Sequence, residues 1–243
     1  LRYLLPLFLS TLPLLGEEIT VLGINDMHAN IGGTPKLATA VKAERAKDPQ
    51  LLLLSAGDNR SGEPANDVND VFPSWPMIDI MNHIGFDLSA FGNHEFDSGP
   101  DALREMLNAA NFRFVCANTY ATRETRLHHY PYQIFEVKGV KVGVLGLIEV
   151  EPTGYPCIHP DCLKNFSFRH PEEVVQEYRW LRERCDVLIL LTHVGHEDEV
   201  ELAKKFPEAD AIIGGHSHTL VKDGMKVGDV LVTQAKNKCA YLN

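Results

Sequence analysis

Five apolar runs in this chain each end on a short polar cluster of Asp, Asn, His and Gly. ITVLGI is followed by Asn25-Asp26-Met27-His28, LLLLSA by Gly57-Asp58-Asn59, and LSAF by Gly92-Asn93-His94-Glu95. VLILL is followed by Thr192-His193-Val194-Gly195-His196, and AII by Gly214-Gly215-His216-Ser217-His218. The runs have the length of buried strands, and helical patterns lie between them. In open α/β sheets, ligands bind at the carboxyl ends of the strands. The chain is thereby constrained to a layered α/β domain whose strand ends gather one polar site.

Strands are predicted over 19–25, 51–55, 88–91, 113–117, 132–137, 141–147, 187–191, 211–213 and 230–233. Helices are predicted over 35–47, 75–83, 100–108, 171–184 and 198–205. Pro35, Pro100 and Pro171 each suit a first helical position. Residues 135–141 read as a hairpin, so the sheets are expected to be mixed rather than purely parallel. The chain has 243 residues, which fits one large domain. Acids outnumber bases 33 to 23, which disfavours a general nucleic-acid binder.

Residues 1–16 carry Arg2 ahead of an apolar run broken by Pro6 and Pro13. The run is shorter than the ~20 residues that span a bilayer. It reads as the remnant of a secretory signal peptide, implying an exported, periplasmic or cell-surface protein with no stable transmembrane anchor. An apolar segment packed on the domain is the alternative. Residues 17–243 are then the catalytic domain. Of the five cysteines, Cys157 and Cys162 share a Pro-rich stretch and would close a small disulfide or stay free. Cys116 and Cys185 read as core residues.

Asp26 and His28 are two residues apart, as are His216 and His218. If extended backbone continues past the strand, each pair points to one side and presents two ligands to one metal. Asp26, His28, Asp58, Asn93, His193, His216 and His218 make seven candidate ligands. One tetrahedral zinc takes about four, so seven suit two metals with a shared carboxylate. Imidazole and oxygen donors without thiolate suit zinc, manganese, iron, cobalt or magnesium rather than copper(I) or an iron–sulfur cluster. Two divalent ions against the carboxylates of Asp26 and Asp58 leave the site net positive, although the chain's charge is −10. Such a site attracts anions and matches a phosphoester substrate.

NDMH, GDNRSG, GNHEFD, THVGH and GGHSH together resemble the calcineurin-like metallophosphoesterases, and within them the catalytic domain of the 5'-nucleotidase branch. The resemblance implies a four-layer α/β/β/α sandwich of two mixed sheets, with a dinuclear centre at the sheet edges. It implies one metal on Asp26, His28, Asp58 and His218, the other on Asp58, Asn93, His193 and His216, and Asp58 bridging. His218 stands where many nucleotidases have glutamine, and Ala29 where that branch often has glycine. The resemblance makes His94 and Asp97 a catalytic dyad. A carboxylate three residues on favours the imidazolium and fixes its orientation, so His94 can protonate the leaving alkoxide.

Asn93, His94 and Arg60 are the candidate substrate contacts, Arg60 being a solvated charge otherwise. Asn118 is a further candidate for the pocket. Glu95 reads as a buried acceptor or a surface charge, and His196 as an orienting neighbour or a bystander. His83, His128, His129, His159 and His170 read as surface or loop residues, and Trp75 and Trp180 as core. The C-terminal substrate domain that two-domain nucleotidases carry is expected to lie outside this sequence, through a split gene with a separate partner chain or a truncated chain, unless the substrate is recognised otherwise. The implied activity is hydrolysis of nucleotides or other small phosphomonoesters. Phosphodiesterase action on cyclic nucleotides or nucleotide sugars is the alternative, as is a metal-loaded subunit inactive without its partner.

Overall fold

The computed structural model describes residues 18–67, 75–125 and 127–243. The expected leader, residues 1–16, and the side chain of Trp75 lie outside what is described. The first sheet is built from β1 (Val21–Ile24), β2 (Leu52–Ser55), β3 (Leu88–Ala90) and β4 (Arg113–Val115), in that spatial order. All three pairings are parallel. A short antiparallel pair, β5 (Thr119–Ala121) and β8 (Phe166–Phe168), stands apart. The second sheet uses β6 (Tyr132–Val137), β7 (Val140–Ile148), β9 (Val187–His193), β10 (Ala211–Gly214), β11 (Met225–Val227) and β12 (Val230–Gln234). Its order is β11-β12-β10-β9-β7-β6. Here β7, β9, β10 and β12 run parallel, and a hairpin partner closes each edge antiparallel. The mixed character therefore resides in the second sheet, because hairpins are added only there. The hairpin read at 135–141 is present, turning through Lys138 and Gly139, both left-handed.

Six helices connect the strands among the described residues: α1 (Thr34–Lys47), α2 (Pro64–Asp67), α3 (Trp75–Ile84), α4 (Gly99–Ala109), α5 (Pro171–Glu177) and α6 (His196–Lys205). The helix expected over 171–184 breaks at Tyr178, and Arg179–Arg184 continue as a 3-10 turn. That break sets the Trp180 ring 5.5 Å from Tyr132 on the edge strand, where it stays 42% exposed rather than in the core.

The period-2 alternation of the strands explains the layering. Leu53 and Phe114 face outward under α1, α3 and α4, with Leu37, Met81 and Leu103. Leu52, Leu54 and Val115 face the other way, onto Val142, Val144, Ile189 and Leu191 of the second sheet. Leu145, Leu188, Leu190 and Ile212 turn outward again under α5 and α6. Each central strand is buried on both faces, which is why its sequence is a continuous apolar run. The result is helices, sheet, sheet, helices, with β1, β2, β3, β9 and β10 delivering their carboxyl ends to one edge. No helix among the described residues is long and apolar enough to cross a membrane.

Candidate metal centre

Beyond the ends of β1 and β2 the backbone bonds continue between loops. Asp26 N–H donates to the Gly57 carbonyl at 3.0 Å, and His28 N–H to that of Asp58 at 2.9 Å. The extended backbone expected there is not what forms. Asp26, His28, Asp58, His216 and His218 all have left-handed φ, between 46° and 77°. Turning the chain this way folds the side chains of each loop back over the strand ends instead of alternating them. Non-glycine residues in this region are strained and persist only where the surroundings impose it. Gly57 (φ +92°) lets the β2 loop press on the β3 loop, since a Cβ there would lie 2.5 Å from Gly92 N.

All seven expected ligands gather. Asp26 Oδ1 lies 3.2 Å from His218 Nε2, 3.7 Å from His28 Nε2 and 4.0 Å from His193 Nε2. Asp58 Oδ2 lies 3.1 Å from His193 Nε2 and 3.8 Å from His28 Nε2. His28 Nε2 and His218 Nε2 are 2.9 Å apart, and His216 Nδ1 is 3.2 Å from Asn93 Oδ1. Asp26, His28 and His218 bring one donor atom each within 4.8 Å of one another, as do Asp26, Asp58 and His193.

The donor set fits a cation. His193 Nδ1 is 2.7 Å from the Ala56 carbonyl, and His28 Nδ1 is 3.3 Å from that of Ser61. A carbonyl only accepts, so Nδ1 holds a proton in each ring and leaves Nε2 to face the carboxylates. Buried Asp26 Oδ1 and His193 Nε2 have no hydrogen-bond partner. Ring nitrogens and carboxylates converging in a dry pocket need positive charge between them, a proton or a cation. The same need shows in titration. Burial opposes the charged form of His193, but Asp58 and Asp26 outweigh it and hold the ring well above its ordinary value. Burial likewise opposes ionisation of Asp58, yet His193 keeps its carboxyl below the usual range.

His94 stands beside this cluster. Its N–H donates to Asp58 Oδ1 at 2.9 Å, and its Nδ1 is 3.0 Å from Asp97 Oδ2. The bond to Asp97 lifts His94 to about 9 against the effect of burial, so the ring is an imidazolium at neutral pH. The 3-10 turn Asn93–Phe96 makes this contact possible by closing His94 over Asp97.

Buried Glu95 is an acceptor, not a surface charge. Its Oε2 takes the N–H groups of Asp58 (2.8 Å) and Gly92 (2.6 Å), and its Oε1 takes Asn59 N (2.8 Å) and Nδ2 (3.2 Å). Arg60 is no solvated charge either. It is 2% exposed, donates Nη2 to Ser98 Oγ at 2.7 Å, and its Nε and Nη1 are buried without partners. Asn118 is structural: it donates to the carbonyls of Ile148 and Arg169 and accepts from Ile148 N. His196 stays behind the cluster, its N–H on Ser217 Oγ. His83, His128, His159 and His170 are exposed as expected. His129 is not a free surface residue, because its ring packs 5.3 Å from that of Phe91.

The Pro-rich loop after β7 backs the centre. The Cys157 carbonyl accepts from Asn93 Nδ2 at 3.0 Å, Cys157 N–H donates to Glu149 Oε1 at 2.9 Å, and Cys162 Sγ donates to the Asp97 carbonyl at 3.1 Å. Cys157 and Cys162 are free thiols, with Cys162 engaged by Asp97. Cys116 and Cys185 are buried. Sequence reading missed Glu149, Glu199 and Gln234. Buried Glu199 accepts from Gly215 N–H at 3.0 Å and Gln234 Nε2 at 3.1 Å, steadying the His216 loop. Glu149 and Gln234 carried the same signal as the ligands, a polar residue closing an apolar strand.

The family model for calcineurin-like phosphoesterases matches residues 19–220. The chain belongs to the calcineurin-like phosphoesterase family. The trifunctional nucleotide phosphoesterase protein YfkN of Bacillus subtilis is 31% identical over 93% of this chain and 18% of its own length. A 5'-nucleotidase of Vibrio cholerae is 31% identical over 87% of this chain and 44% of its own. Among solved structures, the 5'-nucleotidase precursor of Thermus thermophilus superposes with a TM-score of 0.81 at 27% identity, covering 92% of this chain and 50% of that one. This calcineurin-like phosphoesterase thus spans less than half the length of both curated relatives. Divalent-metal chemistry is what the family implies, and the donor set is built for it.

Proposed function

We propose that this chain is a metal-dependent phosphoric ester hydrolase acting on nucleotides or other small phosphomonoesters. The observation that carries the reading is the convergence of His28 Nε2 and His193 Nε2, each ring fixed at Nδ1 by a backbone carbonyl, on the carboxylates of Asp26 and Asp58. One divalent ion would be held by Asp26, His28, Asp58 and His218, and a second by Asp58, Asn93, His193 and His216. When bound, such a pair supplies a water-derived nucleophile and neutralises charge on the transferring phosphoryl group.

The chain's own residues supply the rest. His94, charged and held by Asp97, brings a ring nitrogen within 4.8 Å of donor atoms of His28 and Asp58, and so beside the phosphoryl group. Its remaining N–H gives a proton to the leaving oxygen as the P–O bond breaks, and Asp97 fixes the ring for that transfer. Asn93 is fixed by the Cys157 carbonyl and keeps its oxygen toward His216, and His94 would contact the phosphate. Buried Arg60 would meet a phosphate only by leaving Ser98. Two relatives named for nucleotide or 5'-nucleotide ester chemistry support the substrate class. A separate chain bearing a base-recognition domain, and export through residues 1–16, are proposals resting on sequence alone.

The test is phosphate release from AMP, an aryl phosphomonoester and an aryl phosphodiester, with Mn²⁺ or Zn²⁺ and with a chelator. Chelator-sensitive release favouring AMP is expected. Turnover of the diester alone would shift the assignment to a phosphodiesterase. No release with any metal would contradict catalysis by this chain.

A further inference from the structure

His28 and His193 have their orientation set by backbone carbonyls, and His193 is also fully buried. His218 has neither support. It sits on a left-handed backbone (φ 54°) and its side chain is 41% exposed. The contact at its Nδ1 is the side-chain amide of Asn237, at 3.0 Å.

The segment that carries Asn237 is stitched to both ligand loops. Lys238 N–H donates to the Asp26 carbonyl at 2.8 Å, and Lys236 N–H to that of Thr219 at 3.0 Å. Asn25 Nδ2 donates to the Lys236 carbonyl at 2.5 Å, and Asn30 Nδ2 to that of Lys238 at 2.7 Å. Lys236, Lys238 and Cys239 all have left-handed φ, between 52° and 65°. Three strained non-glycine residues in a row of four are kept only by these ties. The ties place the one residue between the lysines on His218.

We infer that Asn237 is the positioning residue of His218, selecting which ring nitrogen faces the metals. The inference rests on the reading of His218 as a ligand. An amide has a donor end and an acceptor end of the same shape. With the nitrogen end on Nδ1, Nε2 carries the hydrogen and faces Asp26 Oδ1. With the oxygen end there, Nδ1 carries the hydrogen and Nε2 offers its lone pair to a cation. The amide thus serves the empty and the loaded centre by a half-turn. Partners of this kind tune affinity because they fix the ring before the metal arrives.

The experiment is titration of the chelator-stripped full chain with Co²⁺, read by calorimetry and visible absorption, on the parent, Asn237→Ala, Asn237→Asp and His218→Ala. Thermal midpoints of the metal-free proteins are recorded alongside. Asn237→Ala is expected to weaken one of the two Co²⁺ sites by ~10–100-fold and leave the other unchanged. Asn237→Asp, an acceptor only, is expected to restore that site to at least parental affinity. His218→Ala should weaken the same site. If His218→Ala weakens a site and Asn237→Ala does not, the inference is wrong while the ligand reading stands. If His218→Ala changes neither site, the ligand reading falls and the inference with it. Loss of both sites together with a lowered midpoint, unrescued by Asn237→Asp, would assign Asn237 to loop stability and overturn its positioning role.

Discussion

Replacing Glu95 with Gln tests how the loops are held to one another. Glu95 is fully buried, and each of its oxygens accepts two N–H donors. At pH 8, above the value of about 7 to which burial lifts it, the carboxylate is ionised and takes all four. Glutamine keeps one oxygen and sets its own NH₂ either against the N–H groups of Asp58 and Gly92 or against those of Asn59. A hydrogen bond to a charged group contributes about 1.5–3 kcal/mol, so losing two costs roughly 3–6 kcal/mol. Burial offsets part of this: lifting the carboxyl from 4.5 to about 7 makes its charge cost about 3 kcal/mol at pH 8, which glutamine does not carry. The net loss is up to about 3 kcal/mol, against the ~5–15 kcal/mol that stabilises a domain. At roughly 2–4 °C per kcal/mol for a chain of this size, the midpoint should fall by up to about 10 °C. Thermal unfolding followed by circular dichroism at pH 8 reads this directly. A midpoint above the parent's would refute the hydrogen-bond count on which the reasoning rests. The variant should also bind metal more weakly, because the Asp58 backbone is among the groups released.

Three further outcomes follow from the same geometry. His94→Asn should lower turnover by ~10²–10⁴-fold while metal content stays at the parental level, read by steady-state kinetics and elemental analysis; an unchanged rate would remove His94 from the chemistry. Burial lifts Glu199 from the ordinary 4.5 to about 8, so its contribution to stability is full below about 4.5 and is lost as pH rises through about 8. Glu199→Gln should therefore flatten the pH dependence of denaturant stability and narrow the gap between pH 6 and pH 9 by an amount of the order of a few kcal/mol; an unaltered slope would contradict this. Asn118→Ala leaves the Ile148 and Arg169 carbonyls and Ile148 N–H without their partner, and should cost about 2–4 kcal/mol by denaturant unfolding with the site's metal content preserved; loss of metal first would return Asn118 to the site.

The sequence was informative where chemistry repeats at a regular structural position. Each central strand is a buried apolar run, so its end is visible, and the polar residue placed there is visible with it. That logic brought the seven ligands together before any geometry was known, and the family resemblance added the His94–Asp97 pair. It failed where the pattern is too short or the partner too distant. The strands Thr119–Ala121, Phe166–Phe168 and Met225–Val227 have three residues each and, unlike Leu88–Ala90 and Arg113–Val115, lie in no longer apolar run. The left-handed turn at Asp26 and His28 follows from contacts with the β2 loop 30 residues away, not from local propensity. Glu199 looked like one acid among several at the start of α6, and only burial against Gly215 and Gln234 distinguishes it. Trp180 was misread because helical spacing there continues past a break that Tyr178 and the edge strand impose.

The central claim is that Asp58 lies between two divalent ions. Crystals soaked in Mn²⁺ and measured at the manganese absorption edge test it most directly. Two anomalous peaks ~3.5–4 Å apart are expected, one on either side of the Asp58 carboxylate, with His28 and His218 toward one and His193 and His216 toward the other. A single peak, or peaks that do not share Asp58, would contradict the account.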